Sequence, residues 1–206
     1  MAAARVVGLL LAAGRGRRFS AAAGVACPPA DKLLARVDGV PVARRALDAL
    51  AAGCDAVVAV VRPDASPALR AALAGARVVD AADADLGMGH SLAAAARAAA
   101  ADGADAVLVM PADLPWLAPA TAASIAALAR EGDAAARASR IVVPALRDGR
   151  RGHPVAFGAA HLPALGRLAG DRGARSLLDA HPARVATVDD AGILRDVDTP
   201  GDLNAP

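Results

Sequence analysis

Apolar runs of strand length alternate with alanine-rich runs of helix length along most of this chain, and this alternation limits the folds open to it. Residues 5–12 (RVVGLLLA), 55–62 (DAVVAVVR) and 105–111 (DAVLVMP) predict strands, and residues 41–53 and 91–101 predict helices. The strands are apolar at successive positions, which is typical of parallel strands covered on both faces. We therefore predict an α/β fold with a doubly wound, mostly parallel sheet.

Residues 140–158 (RIVVPALRDGRRGHPVAFG) break this rhythm. They predict two strands joined by a polar, glycine-containing turn, and hence a small antiparallel insert. Residues 20–30 (SAAAGVACPPA) are of low complexity and predict a mobile loop. At 206 residues the chain is long enough for one substantial core, so we expect residues 1–206 to form a single domain.

The composition excludes several classes of function. A net charge of +2 is too small to drive binding to nucleic acid or to a membrane surface. Two cysteines, Cys27 and Cys54, form neither a disulfide framework nor a paired metal motif. The first residues look superficially like a signal peptide, but their apolar run ends in a glycine-rich turn and no other segment approaches a membrane span. We expect a cytoplasmic protein.

The turn after the first strand carries the clearest functional signal. Gly14 and Gly16 follow the strand, and ligands of α/β sheets collect outside the carboxyl ends of strands. Glycine lets the backbone approach a phosphate closely. The cations that can add charge are Arg15, Arg17, Arg18 and Lys32. The turn therefore suits a polyphosphate, although an ordinary turn in an arginine-rich chain stays possible. It is neither a P-loop nor a complete dinucleotide fingerprint.

A second glycine pair lies in DLGMGHSL, where Gly87 and Gly89 precede Ser91. We predict Ser91 as the N-cap of a helix whose free amides could bind an anion or a base edge. The alternative is an ordinary capped helix with no ligand.

Acidic residues at the ends of predicted strands indicate a cation site. Asp113 ends the strand in VLVMPADLPWL, and Asp196 and Asp198 alternate in LRDVDTPGDL, so they share one face of an extended segment. Mg²⁺ prefers one or two carboxylates together with substrate phosphates. His153 by itself is more often a structural residue, and four scattered histidines show no zinc-ligand spacing.

The order of these motifs resembles a known family. LAAGRGRR, a lysine, GMGHSL, PADLPWL, GHPVAFG, GDRGAR and DVDTPGDL together resemble the molybdenum cofactor cytidylyltransferases of the MobA-like nucleotidyltransferase superfamily, over nearly the full chain. The first motif alone indicates only nucleotidyl transfer, whereas the last three are more restrictive. The resemblance implies a Rossmann-like nucleotidyltransferase fold and transfer of CMP from CTP to a molybdopterin-type acceptor, with a molybdoenzyme as recipient of the product.

The resemblance also implies roles for individual residues. By this resemblance, the residues that would bind the nucleotide are Leu11, Ala12, Ala13, Gly14, Gly16, Arg18, Lys32, Gly89 and Ser91. Asp113 and Asp198 would bind Mg²⁺, and Arg18, Lys32 and Asp113 would be catalytic. The acceptor would face His153, Asp171 and Arg175. In that family, enzymes with alanine at the position of Ala13 use CTP, whereas enzymes with glycine there use GTP.

The chain departs from the family pattern in two places. The loop between Phe19 and Lys32 is longer than usual, and His90 stands where a small polar residue is expected. Two alternatives therefore stay open: an enzyme that uses GTP or another phosphorylated acceptor, and an inactive chaperone that binds a nucleotide or cofactor. The incomplete fingerprint disfavours an NAD-dependent dehydrogenase.

Overall fold

The computed structural model describes residues 4–22 and 31–204. The strands of these residues are β1 (Val6–Leu11), β2 (Arg36–Val37), β3 (Val40–Pro41), β4 (Ala56–Val61), β5 (Arg77–Asp80), β6 (Ala106–Pro111), β7 (Ile141–Ala145), β8 (Val155–Gly158) and β9 (Arg184–Thr187). The α-helices are α1 (Arg17–Ala22), α2 (Val42–Ala51), α3 (Pro67–Ala72), α4 (Met88–Ala101), α5 (Pro119–Arg130), α6 (Ala134–Ser139), α7 (Leu162–Leu165) and α8 (Arg175–Ala180). Within these ranges no helix is both long and apolar enough to cross a bilayer.

Seven of the strands in the described ranges form one sheet in the order β5-β4-β1-β6-β8-β7-β9. Strand β1 runs parallel to both β4 and β6, and β4 runs parallel to β5. Strand β8 is antiparallel to its two neighbours. The predicted α/β fold with a mostly parallel sheet is therefore confirmed. After β1 the chain continues first on one side and then on the other, which opens a crevice at the carboxyl ends of β1 and β6.

Both faces of the sheet are covered, as the continuous apolar runs predict. Val6 and Leu10 point into a core that includes Leu50 of α2 and Ile125 of α5. Val7 and Leu9 point into a second core on the α4 side. These four side chains of β1 are completely buried. Strand β1 therefore lies at the centre of the molecule and holds the following turn in place.

The antiparallel strands β7 and β8 belong to the main sheet instead of standing apart from it, because β8 pairs with β6. A separate two-stranded antiparallel sheet is formed by β2 and β3. Its two-residue turn has positive φ angles at Asp38 (51°) and Gly39 (79°). An Asp-Gly pair between apolar residues is a strong hairpin signal, so this small sheet was predictable from the sequence.

Two local predictions need correction. Ser91 is not an N-cap, because α4 begins three residues earlier at Met88 with Gly87 as its N-cap, and Ser91 is buried inside the helix. The predicted loop over residues 20–30 is helical at its start, since α1 extends to Ala22. Residues 23–30, with Cys27, lie outside the described ranges. The prediction of one domain stays a prediction.

Candidate active site

The turn after β1 forms the floor of a cavity of about 410 Å³ at the carboxyl edge of the sheet. Leu11, Ala13, Gly14 and Gly16 line it. Ala12 does not, because it is buried and its amide donates to the carbonyl of Val60, 2.8 Å away. The first motif thus divides into residues that face the cavity and one that joins the turn to the sheet.

Gly16 has a φ of +57°, a conformation that favours glycine. A Cβ at this position would lie 3.4 Å from Cγ of Lys32. The stem of Lys32 therefore runs alongside the turn, although fifteen other residues separate the two in sequence. The positive φ is therefore the reason for glycine at this position, and the contact with Lys32 is an ordinary one.

The three arginines of the first motif are not equivalent. Arg15 Nε donates to Asp85 Oδ1 at 2.7 Å, and this hydrogen bond raises the pKa of the Arg15 guanidinium. Asp85 also accepts from Arg62 at 3.1 Å. Arg15 is therefore neutralised in part by the opposite wall of the cavity. Arg17 and Arg18 lie in α1, but their side chains are outside the described part, so the role predicted for Arg18 stays a prediction.

Three carboxylates, of which only Asp113 lines this cavity, form the acidic cluster: Asp113, Asp196 and Asp198, with one oxygen of each within 4.8 Å of the others. The carbonyl of Asp113 accepts from the amide of Val197 at 2.9 Å. This hydrogen bond connects the segment that carries Asp196 and Asp198 to the residues that follow β6. Partial burial and the negative charges of Asp113 and Asp198 raise the pKa of Asp196. The cluster adds Asp196 to the two predicted metal ligands.

Lys32 contacts this cluster. Its Nζ donates to Asp113 Oδ2 at 2.6 Å and to Asp198 Oδ1 at 3.4 Å. Burial by itself would lower the pKa of Lys32, but the charge of Asp113, the hydrogen bond to it and the charge of Asp198 outweigh burial and raise the pKa. The ammonium is consequently held in its charged form at the cluster.

The tail segment, residues 190–204, is held in place by two aspartates that sequence reasoning missed. Asp202 Oδ2 accepts from the amides of Asp198 (3.0 Å) and Thr199 (2.6 Å). Asp190 accepts from the amide of Ala118 and the hydroxyl of Thr121, at 2.9 and 2.7 Å. Short side chains that bond to nearby amides are a recognisable turn signal, and DTPGD carries it.

The glycines of GMGHSL allow the start of α4 to approach residues 169–171 closely. The amide of Gly89 donates to the carbonyl of Gly170 at 2.8 Å, and a Cβ at Gly87 would overlap with the backbone of Gly170. The amide of Gly89 is therefore already bonded within the protein, and the nucleotide-binding role expected of Gly89 stays a prediction. Ser91, although not an N-cap, lines the first cavity, and so does Asp171.

A second cavity of about 800 Å³ adjoins the first. Arg151, Arg172 and Arg175 line it together with apolar side chains such as Phe157. His153 also lines it, with Nδ1 3.3 Å from the carbonyl oxygen of Val109, and burial lowers the pKa of its imidazole. The three residues predicted to face the acceptor therefore line different cavities: His153 and Arg175 line the second cavity, and Asp171 lines the first.

Asp113 lies on the boundary between the two cavities. It lines both of them, as do Leu11, Met88 and Pro111. Carboxylate oxygens are the ligands that Mg²⁺ and Mn²⁺ prefer, so the acidic cluster can hold a divalent cation within reach of a ligand in either cavity. This arrangement suits a transfer reaction between two bound molecules.

Comparison with known proteins agrees with this geometry. The chain matches the MobA-like NTP transferase domain over residues 8–185. No curated protein is significantly similar to the chain.

Several solved structures are similar along nearly the full chain. Rv0371c from Mycobacterium tuberculosis H37Rv is 32% identical, with a TM-score of 0.75 and coverage of 98% of this chain and 96% of that one. The structure of Rv0371c in complex with manganese is 30% identical, with a TM-score of 0.70 and coverage of 96% of this chain and 95% of that one. A nucleotidyl transferase from Methanothermobacter thermautotroptrophicus is 26% identical, with a TM-score of 0.76 and coverage of 96% and 94%. The chain thus belongs to the MobA-like NTP transferase family, and the protein is a nucleotidyltransferase.

Proposed function

We propose that the protein transfers CMP from CTP to a phosphorylated, molybdopterin-type acceptor and releases pyrophosphate, with Mg²⁺ as cofactor. The observation that carries this proposal is the position of Asp113, which lies in the acidic cluster and borders both cavities. A nucleotide in the first cavity and an acceptor in the second would meet at this carboxylate.

Two features support the first cavity as the nucleotide site. Its glycine turn leaves the backbone at Gly14 open, with no neighbouring atom within 4 Å of a Cβ built there. Ala13 is buried except for 7% of its surface and lines the wall, where its methyl group narrows the space for a base. Combined with the resemblance to cytidylyltransferases, this alanine favours CTP over GTP.

The second cavity suits a bulky acceptor. Its volume of about 800 Å³ exceeds that of the first, and its lining combines apolar side chains with the guanidinium groups of Arg151, Arg172 and Arg175. Guanidinium groups bind phosphates through paired hydrogen bonds, and the apolar surface can accept a flat ring system. A pterin that carries a phosphate has both properties.

The donor set of the acidic cluster fits a divalent cation. Its three carboxylates lie within 4.8 Å of one another, and hard cations prefer such oxygen ligands. A manganese complex of a relative that is 30% identical supports a divalent cation in this family. When bound, Mg²⁺ would stabilise negative charge on the transferred phosphate and on the leaving group.

In the proposed reaction, an oxygen of the acceptor phosphate attacks the α-phosphorus of CTP and pyrophosphate leaves from the opposite side. The protein supplies position and charge, and no covalent enzyme intermediate is needed. Lys32 and Arg18 would stabilise the departing pyrophosphate. His153, whose lowered pKa keeps it neutral at pH 7, would help to shape the acceptor cavity without adding charge.

The first test is a thermal shift with Mg²⁺ and each of CTP, GTP, ATP and UTP. A ligand at about a hundred times its Kd stabilises a fold by roughly 2.7 kcal/mol, so a nucleotide site will be visible. We expect a Mg²⁺-dependent shift with CTP, lost in Asp113→Asn. Asp48→Asn is the matched control, since Asp48 pairs with Arg44 on α2. Equal shifts with all four nucleotides would contradict the preference for CTP.

Turnover is tested by measuring pyrophosphate release with molybdopterin or with smaller phosphorylated metabolites as acceptor. We expect release with molybdopterin and a loss of about a hundredfold or more in Asp113→Asn, because a charge that stabilises the transition state is removed. Nucleotide binding without release for any acceptor would instead favour an inactive nucleotide-binding chaperone.

A further inference from the structure

Lys32 is the only lysine in a chain that carries 22 arginines. Its side chain is 12% exposed and points at two of the three carboxylates of the acidic cluster. A guanidinium is a planar fork that matches one carboxylate, whereas an ammonium is a compact charge with donors in several directions. A lysine at this position therefore provides what the arginines elsewhere do not: a small cation that two carboxylates can share.

The ammonium and a divalent cation compete for the same oxygens. Nζ lies 2.6 Å from Asp113 Oδ2 and 3.4 Å from Asp198 Oδ1, and both residues belong to the proposed metal site. Like charges repel strongly over such distances in a partly buried site. A free cation must therefore displace the ammonium from its anionic partners, or bind beside it at a cost in affinity.

The stem of Lys32 lies beside the glycine turn of the first cavity. Its Cγ lies 3.4 Å from the place of a Cβ on Gly16, which lines the first cavity. The flexible stem therefore passes the glycine turn where the phosphates of a nucleotide would lie. Rotation of the side chain could move the ammonium from Asp113 to a phosphate without movement of the backbone.

We propose that Lys32 is an internal counter-ion that suppresses binding of free divalent cations and releases the acidic cluster when a nucleotide arrives. The inference rests on the proposed function. In this exchange the phosphates take the ammonium and the carboxylates take the metal, so every charge keeps a partner. The cation and the nucleotide consequently bind together, and the cation does not bind first.

The test is a titration with Mn²⁺ followed by the electron paramagnetic resonance signal of the free ion, with and without CTP. Lys32→Met removes the charge at nearly constant shape, and Lys32→Arg retains it. Arg184→Met is the matched control, because it removes an equal charge from a pair with Glu131 at the opposite edge of the sheet.

Without CTP we expect Lys32→Met to bind Mn²⁺ about tenfold or more tightly than the unmodified protein, because the competing charge is gone. Lys32→Arg and Arg184→Met should bind as weakly as the unmodified protein. CTP should tighten Mn²⁺ binding in the unmodified protein much more than in Lys32→Met. Equal affinity of the unmodified protein and Lys32→Met without CTP would overturn the counter-ion role and leave the proposed function intact. A protein that binds no Mn²⁺ even with CTP would overturn both.

A second measurement needs no substitution. Protein labelled with ¹⁵N at lysine carries one side-chain label, since Lys32 is the only lysine. We expect the Nζ resonance to stay in place with Mg²⁺ alone and to shift when Mg²⁺ and CTP are added together. A full shift with Mg²⁺ alone would show that the cation displaces the ammonium unaided and would contradict the proposal.

Discussion

His153 contacts the sheet and also borders the second cavity. Its ring is half-buried and within hydrogen-bond distance of the carbonyl of Val109 in β6, and it also lines the second cavity. Isolated in the sequence, a histidine favours a structural role, and the GHPV motif favours a role in the site. The two interpretations are compatible, because a side chain held rigidly by the sheet is well placed to shape a cavity.

The lowered pKa of His153 predicts a pH dependence of stability. The unfolded chain binds a proton near the ordinary value of 6.5, whereas burial keeps the folded imidazole neutral to lower pH. The stability that the neutral form contributes is therefore complete above pH 6.5 and is lost as the pH falls towards the folded pKa.

We expect the free energy of unfolding to fall less steeply between pH 7 and pH 5 in His153→Gln than in the unmodified protein. Urea titrations across this range measure the difference. His181→Gln, at an exposed position, is the control and should retain the steeper fall. Parallel curves for His153→Gln and the unmodified protein would contradict the prediction.

At the scale of elements, the start of α4 and the segment around Asp171 form one wall of the first cavity. Gly87 has a φ of +127° and approaches Gly170, and Gly173, with a φ of +52°, lies next to Met88. The close approach depends on the glycines of GMGHSL, because a Cβ at Gly87 or Gly89 would overlap with the backbone of residues 169–170.

Gly87→Ala tests this contact. A methyl group would overlap with the backbone of Gly170, and the backbone of Gly87 (φ +127°, ψ +165°) lies in a region that costs other residues roughly 1–3 kcal/mol. We expect CTP binding to weaken about tenfold or more as the wall is displaced, measured by calorimetry. Gly103→Ala is the matched control, because Gly103 also has a positive φ but open space around it. Gly103→Ala should lose some stability through backbone strain but bind CTP normally.

The tail segment depends on Asp190 for its attachment to α5. Asp190 accepts from the amides of Ala118 and Gly192 and from the hydroxyl of Thr121. Gly192 in turn lies against the backbone of Trp116, too closely for any side chain. This attachment positions Asp196 and Asp198 beside Asp113 from a distant part of the chain.

Asp190→Ala leaves three donors without their acceptor, and we expect a loss of about 2 kcal/mol in the free energy of unfolding. Urea denaturation measures it. Asp133→Ala, which removes one exposed capping bond from α6, should cost less, about 1 kcal/mol or below. An equal loss in the two variants would show that Asp190 does not anchor the tail segment.

At the scale of the whole molecule, the centre of the sheet is rigid and its edges are exposed. The residues of β1 and β6 are almost all buried, whereas β9 is an edge strand with Val185 44% exposed. The site lies at the carboxyl ends of the two central strands. The least deformable part of the fold therefore supports Gly14, Gly16 and Asp113.

Hydrogen exchange is expected to follow this gradient. Amides of β1 and β6 should exchange only through global unfolding, and those of β9 through local opening at a rate faster by about a hundredfold or more. Mass spectrometry of peptic fragments measures both. Protection of residues 184–187 equal to that of residues 6–11 would contradict the predicted local opening of β9.

Much of the fold was predictable because its signals are local. The apolar runs that became β1, β4 and β6 indicate buried parallel strands without any knowledge of their partners. The start of α4 was misplaced because Ser91 looks like a cap, whereas docking against Gly170 decides where the helix begins. The membership of β7 and β8 in the main sheet was also missed, because strand pairing depends on residues far apart in the chain.

The sequence by itself determined the α/β class, the glycine turn after β1 and the acids that follow the strands, because each depends on neighbouring residues or on a short motif. Only the tertiary structure decided that Lys32 lies between Asp113 and Asp198, that Asp196 joins them and that Asp171 faces the first cavity instead of the second. These distances are set by the order of the strands and by the attachment of the tail segment. The interaction between charges depends on their distance in space and not on their separation in sequence, so the electrostatics of Lys32 and the acidic cluster follow from the tertiary structure.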